Sequence, residues 1–97
     1  MLYCIILQDA EGSEAARQQH HDGHIQHFKA HRKQLALSGP LKQDDGSAVG
    51  SLVVIDCDSQ EAARTFIEGD PFYSAGVWKD VFIAQFKASI VDAGKLS

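Results

Sequence analysis

Apolar and polar positions fall in blocks along the chain, and the blocks have the lengths of strands and helices. Residues 2–8 (Leu-Tyr-Cys-Ile-Ile-Leu-Gln) form a run rich in β-branched and aromatic side chains, closed by Asp9 and Gly12. Apolar residues occupy both parities of the run, which predicts a central strand covered on both faces. Residues 10–17 fit either a loop or a first helical turn. From His24 the period changes. Ile25, Phe28, Arg32 and Leu35 recur at i, i+3, i+7 and i+10, predicting an amphipathic helix. Leu37-Ser38-Gly39-Pro40 is expected to end it, with Gly39 in a left-handed cap and Pro40 unable to continue the ladder. Residues 35–41 fit a short strand or a turn.

The polar cluster Gln43-Asp44-Asp45-Gly46-Ser47 predicts an exposed, hairpin-like connection. Residues 51–57 (Ser-Leu-Val-Val-Ile-Asp-Cys) are the least ambiguous strand. Asp58 and Glu61 stand in capping-box spacing ahead of a second helix, whose apolar stripe is Ala62, Ala63, Phe66 and Ile67. Gly69 closes that helix, and Pro71 pushes Asp70 out of the helical region. The corner Gly69-Asp70-Pro71-Phe72-Tyr73-Ser74-Ala75-Gly76-Val77-Trp78 leads into a final strand over residues 81–86, and residues 89–97 read as a tail that drapes on the body or frays.

The order β, α, short β, β, α, corner, β suits an α+β sandwich of the split βαβ, or ferredoxin-like, kind (βαββαβ) with an antiparallel sheet. In such a fold the helices cover one sheet face. Leu52, Val53, Val54 and Ile55 leave neither face of their strand polar, so the expected remedy is a homodimer formed sheet to sheet.

Composition narrows the function. The 97 residues make one domain, and 44% hydrophobic with 23% charged residues is ordinary globular usage. A net charge of −4 argues against nucleic acid as a partner; only residues 29–42 are locally basic. No apolar run reaches the roughly 20 residues needed to span a bilayer. Residues 1–7 lack the basic flank and cleavage site of a secretory signal, so a cytoplasmic location is expected. Cys4 and Cys57 have no CxxC spacing and read as reduced, buried thiols.

Candidate chemistry gathers in two places. The chain holds five His, and His20, His24, His27 and His31 form a stripe on the first helix. Its i, i+4 pairs fit a metal site, a general acid or base, or simply a solvated flank. At the corner, Asp70 is either a turn residue or a catalytic carboxylate. Phe72, Tyr73 and Trp78 are either core rings or substrate-binding walls. No Walker loop, G-x-G-x-x-G or G-x-S-x-G occurs, so no nucleotide cofactor or nucleophile elbow is indicated.

The landmarks together resemble the YciI-like (YCII-related) family. They are Met1-Leu2-Tyr3, His24-Ile25, Leu37-Ser38-Gly39-Pro40, Gly50-Ser51-Leu52, residues 59–63, Asp70-Pro71-Phe72, Ala75-Gly76-Val77 and Phe86-Lys87. The resemblance implies a ferredoxin-like fold that dimerises through its sheets into an α/β barrel. It also implies a His–Asp pair beside a pocket, here His24 and Asp70, with Phe72, Tyr73 and Trp78 as walls. One branch of the family eliminates chloride from a chlorinated hydroxyhydroquinone, and related barrels include muconolactone isomerases and small monooxygenases. The implied activity is cofactor-free lyase or isomerase chemistry on a small cyclic or aromatic molecule. The alternatives are a non-catalytic small-ligand-binding or accessory module and a metal-binding protein using the His stripe.

Overall fold

The computed structural model of the chain describes residues 1–96. Four strands, β1 (Leu2–Asp9), β2 (Leu35–Lys42), β3 (Ala48–Asp56) and β4 (Trp78–Phe86), form one antiparallel sheet in the order β2-β3-β1-β4. Helices α1 (Glu14–Gln19) and α2 (His21–Ala30) connect β1 to β2, while α3 (Gln60–Glu68) and the single turn α4 (Pro71–Ser74) connect β3 to β4. This is the ferredoxin-like α+β arrangement expected from the order of apolar blocks.

Register divides each strand into two sets. Tyr3, Ile5 and Leu7 of β1 lie beside Ile55, Val53 and Ser51 of β3, and this set faces the helices. The core continues into Ala63, Phe66 and Ile67 of α3, then Phe72 and Val77 at the corner. The opposite set is apolar and has no helix over it. Ile6 pairs with Leu52 and Phe82, and Leu2 pairs with Phe86. Ile6, Leu37, Leu41, Phe82 and Phe86 remain exposed.

Where β1 and β3 meet, the chain demands a glycine. A Cβ on Gly50 would lie 2.0 Å from the Leu7 carbonyl oxygen, and backbone cannot swing away as a side chain does. Gly50→Ala is therefore expected to destabilise the fold by about 1–3 kcal/mol through overpacking. The readout is a lower urea midpoint; an unchanged midpoint would contradict this close approach.

Three expectations change. The first long helix stops at Ala30, and a 3₁₀ turn over Arg32–Gln34 delivers the chain into β2, so Leu35 is the first residue of a strand. Pairing with β3 at seven positions outweighs the helical spacing of Arg32 and Leu35. Gly39 accordingly is no helix cap: it pairs with Leu52 inside β2 and lies outside the positive-φ glycines. Pro40 is tolerated because β2 is an edge strand, where a missing N–H breaks no outer ladder. Second, α3 is capped by Ser59, whose hydroxyl accepts from the Ala62 amide at 3.0 Å, in place of the Asp58–Glu61 box. Third, strands β3 and β4 begin earlier than their apolar cores, at Ala48 and Trp78. The 43–47 cluster does form the β2–β3 hairpin turn, where hydrogen bonds from Ser47 hold the Asp45 carboxyl below its usual range. In the tail, a 3₁₀ turn spans Ala93–Lys95, and Ser97 lies outside the described residues.

Candidate functional site

The corner after α3 builds one half of the site. Pro71 sits at the first position of α4 and holds Asp70 in extended backbone, φ −79° and ψ 134°, as the N-cap. The Asp70 carboxylate is buried, and its Oδ1 accepts from the Phe72 amide at 2.8 Å. That bond fixes the side chain and leaves Oδ2 pointing outward from the corner. Gly76, at φ +75°, then turns the chain into β4, a conformation a Cβ would strain.

Helix α2 supplies the other half. Gly23 is a poor helix residue, but a Cβ there would lie 3.0 Å from Pro71 Cγ. Its absence lets α2 come down on the corner and brings the next residue, His24, onto Asp70. His24 Nδ1 and Asp70 Oδ2 are 2.6 Å apart. A carboxylate accepts, so Nδ1 carries the proton and donates. The imidazole lies flat on Phe72, with centroids 4.1 Å apart and planes 7° apart, and Phe28 and Trp78 crowd its other sides. The ring is thus held in both orientation and tautomer. Nε2, with no hydrogen-bond partner among the described residues, is left as a base.

His24 forms part of the wall of a cavity of about 410 Å³ between α2 and the β2–β3 side of the sheet. The cavity exists because α3, packed on β1 and β4, closes only the other side, while no residue of α2 is fully buried. Phe28, Leu35 and Val53 line it with apolar surface; Ser51 and Arg17 bring polar groups. A larger cleft of about 870 Å³ adjoins it across Arg17 and His21, but neither His24 nor Asp70 reaches that cleft. The smaller cavity is the one beside the His24–Asp70 pair.

Of the five residues singled out from sequence, the structure brings four together. His24 and Asp70 bond, Phe72 underlies His24, and Trp78 meets it edge-on at 6.2 Å. Phe72 and Trp78 support the imidazole from the core side, and neither lines the cavity. Trp78 Nε1 is buried without a partner among the described residues. Tyr73 stands apart, 41% exposed and outside both clefts, so the structure gives it no place at the walls. Two further members of the His stripe bond to backbone carbonyls. His27 Nε2 donates to the Phe66 carbonyl at 2.7 Å, and His31 Nδ1 donates to the His27 carbonyl at 2.8 Å. The first ties α2 to the end of α3, and the second closes the end of α2 on itself. Among the described residues no group of three or more His, Cys, Asp or Glu is placed to hold a metal ion.

Sequence patterns did not single out Arg17 or Ser51. Arg17 Nη2 bonds both Asp9 oxygens, at 2.7 and 2.9 Å, and its guanidinium carbon lies 5.1 Å from the Phe72 ring centre. The signal for the other cavity cations, Lys29 and Arg32, was the locally basic stretch 29–42 in an acidic chain.

The profile of the YCII-related domain matches residues 1–87. The chain belongs to that family. Protein YciI of Escherichia coli O6:H1 (strain CFT073) is 32% identical over 95 residues, covering 90% of this chain and 97% of that protein. Protein YciI of Shigella flexneri matches to the same extent. Among solved structures, 5-chloro-2-hydroxyhydroquinone dehydrochlorinase (TftG) from Burkholderia phenoliruptrix AC1100, in complex with 2,5-dihydroxybenzoquinone, superposes with a TM-score of 0.84. It is 24% identical, over 92% of this chain and 96% of that one, a likeness of fold. Protein Atu4242 from Agrobacterium tumefaciens is a more distant neighbour, at TM-score 0.54 and 16% identity over 92% and 94% of the two chains. The fold shared with the dehydrochlorinase is the open four-stranded sheet and one-sided helical layer described above.

Proposed function

We propose that this YCII-related protein is a cofactor-independent catalyst of proton transfer on a small cyclic or aromatic molecule, of the lyase or isomerase type. The observation that carries the reading is the 2.6 Å His24–Asp70 bond, with the remaining imidazole nitrogen unpaired on a ring that walls a cavity. Asp70 holds the proton on Nδ1, and Nε2 removes a proton from carbon or hydroxyl of the bound ring. The electron pair released forms a new π bond. In an elimination the leaving group departs with its bonding pair; in an isomerisation His24 returns the proton to another carbon. The Asp70 carboxylate offsets the positive charge that arises on the imidazole meanwhile. The dehydrochlorinase whose fold this chain shares supports a ring-sized substrate. The test is a ligand screen on the full chain followed by a turnover assay on each hit. Product formation that requires His24 supports catalysis, whereas saturable binding with no product from any hit supports a binding module.

The working unit we propose is a homodimer closed through the uncovered sheet face, together forming an α/β barrel. Phe82, 57% exposed opposite Ile6, sits within that apolar face. Phe82→Glu is expected to halve the mass measured by light scattering after gel filtration. A variant dimer of unchanged mass would place the contact elsewhere.

A further inference from the structure

The chain carries a net charge of −4, but the wall of the His24 cavity reverses that sign: Arg17, Lys29 and Arg32 line it, and no carboxylate does. The acidic groups nearby, Asp9 among them, face the adjoining larger cleft. Asp9 engages only one nitrogen of Arg17. Arg17 Nε is buried with no partner among the described residues, so the guanidinium retains donors for something else. A second unmet group lies on the sheet beneath. Ser51 is 9% exposed on the helix-facing side of β3, lines the cavity, and its hydroxyl bonds none of the described residues. Phe28 and Val53 supply apolar surface between these polar groups.

We propose that the cavity takes a ring-sized organic anion, its charge held by Arg17, Lys29 and Arg32 and a ring oxygen paired with Ser51. The ligand class follows from charge and shape. A cationic rim over an apolar slot favours a planar ring bearing a carboxylate or an ionised hydroxyl over its neutral counterpart. The placement also has a chemical use. Removing a proton from such a ring places negative charge on its oxygen, and fixed guanidinium donors stabilise that charge as it develops. This inference rests on the His24 cavity being the ligand site, though not on the ligand being turned over.

The experiment is a chemical-shift titration of the full chain with paired probes: benzoate against benzamide, and 2,5-dihydroxybenzoate against 2,5-dihydroxybenzamide. Each anion is expected to bind at least about tenfold tighter than its amide. The shifts should centre on Ser51, Phe28 and His24, and the preference should shrink as added salt shortens the screening length. The double variant Lys29→Gln/Arg32→Gln should lose most of the preference while keeping the wild-type fold spectrum. Ser51→Ala should weaken the dihydroxylated probe and leave benzoate unchanged. Equal affinity for acid and amide, or no saturable anion shift at the cavity, would overturn the proposal. The two readings fail separately. Anion-selective binding with no product from any ligand removes the catalytic reading alone, and turnover of neutral rings without anion preference removes this one alone.

Discussion

Asp70→Asn is expected to lower turnover by about 10²–10⁴-fold, the range that a positioned general base contributes, while the protein stays folded. The substitution is isosteric, but it reverses the proton logic of the pair. The Phe72 amide needs an acceptor, so the Asn carbonyl would take the Oδ1 position and its NH₂ would face His24. A donor there forces Nδ1 to accept, and the imidazole proton moves to Nε2. Nε2, the nitrogen proposed to take the substrate proton, would then already carry one. His24→Ala should lose at least as much, since among the described residues no other imidazole bonds Asp70: His27 bonds the Phe66 carbonyl of α3 and His31 the His27 carbonyl of its own helix. Steady-state kinetics on a hit from the ligand screen, with circular dichroism on both variants, checks this. Full activity in both would remove the pair from the mechanism.

Phe72→Ala should cost about 3–5 kcal/mol of stability, the range for deleting a buried aromatic. Phe72 is wholly buried where β4, the corner and α2 meet. It carries His24 stacked on its face and Trp78 edge-on at 5.7 Å, so its removal opens a void beneath the imidazole. Domains of this size are commonly stable by only about 5–15 kcal/mol, so the variant would sit close to unfolding. Urea denaturation reads the loss directly. Phe72→Leu refills much of the volume and should recover most of the stability, but without the flat surface that orients His24. A loss under about 1 kcal/mol for the Ala variant would mean that the corner is not packed as described.

The apolar blocks made most of this fold legible. Strand-length runs at residues 2–8 and 51–57 and the stripe on α3 all form the expected elements, because burial on a sheet or helix face leaves a period in the chain. The β2 edge strand was less legible. Leu35 fits a helical repeat as well as a strand, and only pairing with Ile55 across the sheet decides it. The corner could be read locally, since Pro71 constrains Asp70 whatever the rest of the chain does. That His24 would meet Asp70 could not be read from spacing: 46 residues separate them, and the family resemblance alone suggested the pair. Gly23 explains how the contact is reached, yet a glycine inside a helix signals close approach only once its neighbour is known. Tyr73 shows the limit of adjacency in sequence. Its place beside Phe72 in sequence suggested a wall, but adjacent residues on a one-turn helix point to different sides.

Proton transfer by His24 turns on which of its ring nitrogens carries the proton at rest. A long-range ¹H–¹⁵N correlation spectrum of the ligand-free protein, at a pH where the His24 ring is neutral, reads this directly. The predicted result is a protonated Nδ1 and an unprotonated, pyridine-like Nε2, with the assignment lost in Asp70→Asn. A neutral ring protonated at Nε2 in the unsubstituted protein would contradict it.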